Sequence, residues 1–109
     1  MSVVTIRSGE LTIQDPSDIR VYVFDWDQLN LAVGVTIASS SFTITSIRPT
    51  GDTALIKDSE GILAGSRKTS LRLSVGTMDT IYEIANKIIT NEVPAQTKER
   101  SFQLLIEDQ

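Results

Sequence analysis

Hydrophobic and polar side chains alternate with a period of two along several short segments of this chain. Tyr22, Phe24 and Trp26 form one apolar row, and Leu71 and Leu73 begin another. Because neighbouring side chains of an extended strand point to opposite faces, this alternation predicts strands that each bury one face. The same pattern predicts about seven strands in all, the last of them over residues 98–108.

Clusters of turn-forming residues separate these segments. Asp15-Pro16-Ser17-Asp18 is the first, residues 49–52 (Pro-Thr-Gly-Asp) are the second, and residues 58–61 (Asp-Ser-Glu-Gly) are the third. Proline presets φ, aspartate and serine bond to nearby backbone, and glycine adopts positive φ, so each cluster favours a turn. Turns at intervals of roughly 8–12 residues are typical of a β-sandwich. The sequence therefore predicts an all-β fold, an antiparallel β-sandwich.

Residues 80–90 fit two patterns. From Ile81, apolar residues recur at i, i+3, i+4, i+7 and i+8, which is the spacing of one helix face. As a strand, the same segment places Tyr82, Ile84, Asn86 and Ile88 on one side. Its β-branched and aromatic content and the strands on both sides favour the strand. Asn86 would then point inward, where a buried amide needs hydrogen bonds, and we expect it to tie a neighbouring turn or loop to the sandwich.

The first 14 residues precede the first turn cluster and allow two interpretations. They are rich in β-branched residues, so they form either an edge strand or an arm that projects from the domain. An arm could add a strand to a neighbouring protein, which makes Val3, Val4 and Ile6 candidate interface residues. Residues 15–109 are expected to form the sandwich domain.

The amino-acid composition excludes several classes of function. The 109 residues include no cysteine and no histidine, and 14 acidic against 10 basic residues give a net charge of −4. Without histidine or cysteine, Ser-His-Asp catalysis, cysteine nucleophiles and thiolate metal sites are excluded. The acidic balance argues against binding nucleic acid or an anionic membrane. We expect no cofactor.

Four aspartates near the first predicted core strand are a candidate calcium cluster. They are Asp15, Asp18, Asp25 and Asp27. Calcium takes six to eight oxygen ligands, and a strand that ends between Asp25 and Asp27 could bring carboxylates together. The simpler interpretation, which we favour, is that these are solvated residues of a turn and a strand end. A glycosidase built on paired carboxylates ranks lower, because nothing in the sequence indicates a cleft.

Two further features carry candidate binding chemistry. Arg67, Lys68 and Arg72 would form a small basic patch on a hairpin, either as a solvated edge that blocks aggregation or as a contact for an acidic partner. Trp26 could be a platform for a sugar, but its row with Tyr22 and Phe24 favours a place in the core. A carbohydrate- or calcium-binding accessory module therefore stays as the alternative function.

Four short segments, read in order, resemble the phage fibre–tail adaptor family, an immunoglobulin-like (Ig-like) group of tailed-phage virion proteins. The segments are Asp15-Pro16-Ser17-Asp18 leading into Tyr22-x-Phe24-Asp25-Trp26; residues 35–40, Val-Thr-Ile-Ala-Ser-Ser; Tyr82-x-Ile84-x-Asn86-x-Ile88-x-Thr90; and Glu99-Arg100-Ser101-Phe102-x-Leu104. The chain departs from the family's pattern after Trp26, where apolar residues are more numerous. It departs again at residues 92–94, where Glu-Val-Pro replaces a turn that contains glycine.

The resemblance implies an Ig-like β-sandwich and a structural protein of the virion without enzyme activity or cofactor. It implies partners among other virion proteins, namely a portal or adaptor, a tail tube or nozzle, and a tail fibre, in a ring of many copies assembled in the host cytoplasm. The net charge of −4 gives the expectation of neither a nucleic-acid nor a membrane partner. The residues expected to build the core are Tyr22, Phe24, Trp26, Tyr82, Ile84, Asn86, Ile88, Phe102 and Leu104.

Overall fold

Eight β-strands make up the secondary structure that a computed structural model describes over residues 2–6, 9–26, 33–63 and 65–107. In chain order they are β1 (Ser2–Ile6), β2 (Leu11–Gln14), β3 (Ile19–Asp25), β4 (Ile37–Arg48), β5 (Leu55–Ile62), β6 (Lys68–Val75), β7 (Thr80–Thr90) and β8 (Thr97–Ile106). The all-β prediction is confirmed, with one strand more than the expected number because the first 14 residues contribute two short ones.

The strands form two four-stranded sheets that pack face to face. The first sheet has the order β1-β3-β6-β5, and the second has the order β2-β8-β7-β4. Constant-type immunoglobulin domains place strands A, B, E and D in one sheet and C, F and G in the other. If β3 is taken as strand B, strands β4 to β8 follow this topology as C to G. The Ig-like β-sandwich is therefore confirmed, with the place of strand A divided between β1 and β2.

The N-terminal segment lies at the edges of both sheets. Strand β1 pairs in parallel with β3, and β2 pairs in parallel with β8. Ile6 is only 2% exposed and belongs to the hydrophobic core, and Val4 packs against that core. These two side chains therefore help to fix β1 to the domain and are not available to a partner while β1 is in place. The side chain of Val3 lies outside the described residues.

Residues 80–90 are a strand, β7, in spite of their helical spacing. Tyr82, Ile84, Asn86 and Ile88 are fully buried, and the residues between them face outward. Strand β7 lies in the middle of its sheet, with antiparallel pairing to β4 on one side and to β8 on the other. Both rows of backbone groups are therefore bonded to neighbours, which a helix could not provide at this place.

The turn predicted at residues 58–61 is wrong. These residues lie inside β5, where a bulge between Asp58 and Gly61 interrupts the pairing with β6. Ser59 takes a positive φ of 51° within the bulge. The polar residues and the glycine of this segment therefore form a bulge in an edge strand and not a turn. The chain reverses only after Ile62. The apolar run at residues 29–31 lies in the segment 27–32, outside the described residues.

An aromatic cluster occupies the centre of the core. The ring of Phe24 lies 5.8 Å from that of Phe42 and 5.7 Å from that of Phe102, and Tyr22 lies 5.2 Å from Phe102. These rings come from both sheets, and tilted pairs at such distances are favourable arrangements. All nine residues that the sequence assigned to the core are buried, with at most 1% of each exposed.

Candidate functional site

A buried polar network joins the two sheets through Asn86. The indole Nε1 of Trp26 donates a hydrogen bond to Asn86 Oδ1 at 3.0 Å, and the hydroxyl of Thr69 donates to the same oxygen. On its other side the Asn86 amide donates to the hydroxyl of Ser40 at 2.9 Å and to the carbonyl of Ser41 at 3.0 Å. We expected Asn86 to hold a turn or a loop. It bonds to the turn residue Trp26, directly after β3, and also to residues of β4 and β6, so it holds that turn and joins the two sheets.

A second buried amide, Gln14, holds β2 to the opposite sheet. Gln14 is fully buried, and its Oε1 accepts a hydrogen bond from the hydroxyl of Tyr22 at 2.6 Å. Its Nε2 donates to the carbonyls of Asp18 and Leu73, each at 3.1 Å. Burial raises the pKa of Tyr22 to about 12, although Arg20 acts in the opposite direction. Gln14 was not predicted from the sequence, since only its place two residues before Pro16 distinguishes it there.

The connection before β7 has the geometry of a tyrosine corner. The hydroxyl of Tyr82, near the start of β7, accepts a hydrogen bond from the backbone N–H of Thr77 at 3.1 Å and donates one to Asp52. A tyrosine at this place, bonded to backbone a few residues upstream, is a recurrent feature of Ig-like domains. The hydrogen bond from Tyr82 lowers the pKa of Asp52, and burial raises the pKa of Tyr82. The corner is a structural device that fixes two connections to the sandwich.

Three connections meet at one end of the sandwich, which we call the loop end. Its described residues are 33–36, between β3 and β4; 63 and 65–67, between β5 and β6; and 91–96, between β7 and β8. Hydrogen bonds join them: the backbone N–H of Asn91 bonds to the carbonyl of Thr36 at 3.0 Å, and that of Ile37 bonds to the carbonyl of Ser66 at 2.7 Å. The connections β3–β4 and β7–β8 correspond to the B–C and F–G loops, which bind the ligand in variable-type immunoglobulin domains.

The loop end exposes apolar side chains. Val33 and Val93 are each 99% exposed, and Leu63 is 37% exposed. Pro94 and Ala95, which follow Val93, are exposed as well. An exposed apolar cluster is a common feature of protein interaction sites. The sequence carried a signal for this surface, the Glu-Val-Pro departure from the family's pattern, but did not show that the three loops converge.

The structure separates the three predicted basic residues. Arg67 lies at the loop end and donates a hydrogen bond to the carbonyl of Val35, and Lys68 is exposed at the start of β6. Arg72 lies on the outer face of the first sheet, where its guanidinium bonds to both carboxylate oxygens of Asp58, at 2.6 and 3.1 Å. The hydrogen bond with Arg72 lowers the pKa of Asp58. Arg72 is thus engaged within the sheet, whereas Arg67 and Lys68 flank the exposed apolar loops.

The three candidate calcium ligands that the structure describes do not form a metal site. Asp15 accepts hydrogen bonds from Ser17, and Asp18 pairs with Arg20 at 3.0 Å. Asp25 lies at the other end of β3, about 20 Å away at the rise of an extended strand. Asp27 lies outside the described residues, and the residues that the structure describes contain no group of three acidic side chains arranged for a metal ion.

The structure leaves no aromatic surface on which a sugar could stack. The chain has six aromatic residues, and all six are described and buried: Tyr22, Phe24, Trp26, Phe42, Tyr82 and Phe102. Stacking on a sugar ring needs an exposed aromatic face, and no aromatic side chain is left for it. Within the described part of the chain, no helix has the length and apolar character to cross a membrane.

The sandwich and the polar ties between its sheets define an Ig-like domain. The family model described as podophage GP4 fiber-tail adaptor protein gp77 matches residues 14–105, from the end of β2 almost to the end of β8. The match covers well over half of the chain, so the chain belongs to this family of phage tail adaptor proteins. No curated protein sequence matches it.

Proposed function

We propose that this chain is a non-catalytic protein of a phage virion that joins a tail fibre to the tail. The observation that carries the proposal is the family match, because it extends over nearly the whole sandwich and includes the residues that tie the sheets together. Family membership gives the chain the role of a structural adaptor of a phage tail. We propose in addition that it lacks catalysis and contacts the fibre itself.

The architecture suits a protein that transmits force between its partners. The domain measures 43 × 27 × 20 Å, so its long axis separates two ends that can each meet a different protein. Asn86 and Gln14 tie the sheets together near opposite ends of that axis. Buried polar networks whose members are all satisfied make a core rigid, which suits a fixed connector.

The loop end is the surface that we assign to the tail fibre. Its fully exposed Val33 and Val93 would enter apolar pockets of the fibre protein, and Lys68 at its border would meet acidic side chains. The remaining partners, a portal or adaptor and a tail tube or nozzle, would contact other faces in a ring of several copies. We infer assembly in the host cytoplasm and a final location in the virion, with neither nucleic acid nor membrane as a partner.

Binding to purified components of the same virion tests the proposal. The full chain is mixed with the tail fibre protein and, separately, with the tail tube or nozzle protein, and complexes are measured by size-exclusion chromatography with light scattering. We expect a complex with both. A chain that binds neither protein, while its melting temperature shows that it is folded, would overturn the adaptor function.

Two substitutions locate the fibre surface. Val33→Asp and Val93→Asp place a charge on the loop end, and each should weaken fibre binding by tenfold or more, since about 1.4 kcal/mol corresponds to tenfold. Met78→Asp is the matched control, because Met78 is 43% exposed in the connection between β6 and β7, at the opposite end of the sandwich. Unchanged fibre binding by both valine variants would exclude the loop end.

A further inference from the structure

The outward side chains of β7 can pair with the same side chains of a second copy taken in the opposite order. In order they are Ile81, Glu83, Ala85, Lys87 and Ile89. When a second copy faces the first with its β7 running in the opposite direction and Ala85 opposite Ala85, Ile81 lies opposite Ile89 and Glu83 lies opposite Lys87. Such an arrangement is what a two-fold interface requires, since the same patch must fit itself. We propose that the outer face of the second sheet is an interface between two copies of this chain.

The neighbouring strands extend this symmetry across the sheet. Thr43 on β4 and Ser101 on β8 lie beside Ala85 and form a central row of small side chains. Small side chains at the centre allow two sheets to approach to the usual separation of about 10 Å. On β8, Gln103 lies beside Glu83 and Glu99 lies beside Lys87. Reversal therefore places the amide of Gln103 opposite the carboxylate of Glu99 in the second copy.

The charges on this face have no ion-pair partner within the described part of the chain. Ion pairs there include those of Arg20 with Asp18, Lys57 with Glu60 and Arg72 with Asp58, and Glu83 and Lys87 take part in none. In the proposed dimer each copy supplies one Glu83 and one Lys87, so two reciprocal ion pairs form. Charge complementarity of this kind fixes the register and suppresses other pairings.

The apolar residues of the face also find partners by reversal. A depression of about 310 Å³ lies beside Ile89, which is 40% exposed, and it is lined by Lys87 and by Ser39, Ser40 and Ser41 of β4. The same reversal brings Ile81 of the second copy to this depression. Apolar contact at both ends and charge pairs between them give the pattern of a specific interface.

Size and twist are compatible with a weak dimer. Three strands of ten to twelve residues and the four-residue β2, spaced about 4.8 Å apart, make a face of about 550 Å². Two such faces bury about 1,100 Å², the size of a weak interface. Aligned sheets cross at about 30°, which moves a side chain two residues from the axis by roughly 3.5 Å. A lysine side chain can bridge that displacement.

Sedimentation equilibrium with charge reversals tests the dimer. We expect the wild-type chain to pass from monomer to dimer between micromolar and near-millimolar concentration, with weaker association at high salt. Glu83→Lys or Lys87→Glu alone places like charges opposite each other and should raise the dissociation constant by about tenfold or more. The double variant E83K/K87E restores both pairs with exchanged signs and should return to the wild-type constant.

Two controls make the result specific to this face. Lys68→Glu, at the loop end, and Glu107→Lys, just after β8, change charge by the same amounts on exposed residues outside the face. Both should associate like the wild type. A wild-type chain that stays monomeric throughout, or a folded double variant that does not regain association, overturns the dimer. Neither result affects the adaptor function, because the dimer inference does not rest on it and fibre binding is measured separately.

Discussion

The indole nitrogen of Trp26 and the side-chain oxygen of Asn86 lie 3.0 Å apart, one from each sheet, with a hydrogen bond between them in the interior of the sandwich. The two residues are 60 positions apart in the chain. Their hydrogen bond and the hydrogen bond from Thr69 hold the two sheets together near the loop end. The following variants measure what this contact and its counterparts contribute to stability.

Asn86→Leu should destabilise the domain by about 2–4 kcal/mol, because it removes the acceptor of the Thr69 hydroxyl and the nearer of the two acceptors of the Trp26 indole, which keeps only Thr69 Oγ1 at 3.3 Å. Urea unfolding followed by the fluorescence of Trp26, the only tryptophan in the chain, measures the loss. Thr53→Ala, at an exposed position before β5, is the control and should change stability by less than about 0.5 kcal/mol. A variant as stable as the wild type would show that the network is dispensable.

Gln14→Leu should release β2 from the first sheet. It removes the acceptor of the Tyr22 hydroxyl and the donor to the carbonyls of Asp18 and Leu73, and we expect a loss of about 1–3 kcal/mol. Hydrogen exchange of the β2 amides should accelerate more than exchange in β7. Thr12→Ala on the same strand is the control. Equal acceleration in all strands would contradict a local role for Gln14.

Ile6→Ala should cost about 2–4 kcal/mol if β1 is part of the folded domain, because Ile6 is buried in the core. Thr5→Ala, at the exposed neighbouring position, should be close to neutral. The comparison by thermal melting distinguishes an integral edge strand from an arm that projects from the domain. Two variants with the same melting temperature would support the arm.

Tyr82→Phe should destabilise the domain by about 1–2 kcal/mol, because the backbone N–H of Thr77 and the carboxylate of Asp52 both lose a partner. The wild-type chain should also lose stability in acid. Since the pKa of Asp52 is lowered in the folded state, its contribution is complete above the ordinary value of 3.8 and declines as the pH falls through the lowered pKa. In the variant the pKa of Asp52, measured by NMR titration, should rise toward 3.8; an unchanged pKa would contradict this assignment.

At alkaline pH the stability of the domain should fall as Tyr22 ionises. Its pKa is about 12 in the fold against 10.0 for an unperturbed tyrosine, because burial disfavours the phenolate. A pKa raised by folding means that stability is complete below pH 10.0 and declines as the pH rises toward about 12. Tyr22→Phe should lower stability at neutral pH and remove this part of the alkaline dependence. A phenol absorbance titration that places the pKa of Tyr22 at the ordinary value would contradict it.

Local patterns were sufficient for the strands and for most of the core. Period-two alternation and turn chemistry identified β3, β4, β6 and β8, because the side chains of a half-buried strand alternate between core and solvent. For β7 the spacing was also helical, and its β-branched and aromatic content and the neighbouring strands identified it. The pattern failed at residues 58–61. Polar residues and glycine occur both in turns and in bulges of edge strands, and only the pairing of β5 with β6 distinguishes them.

The sequence by itself determined an all-β domain, the absence of histidine and cysteine chemistry, and the motifs that place the chain in its family, because these depend on residue types and on neighbours along the chain. The tertiary structure decided which distant residues meet. It joined Trp26 to Asn86 and Gln14 to Tyr22, separated Asp25 from Asp15 and Asp18, and brought Val33 and Val93 to one end. Those contacts depend on strand order and register, which are set by the packing of two sheets and not by any local segment.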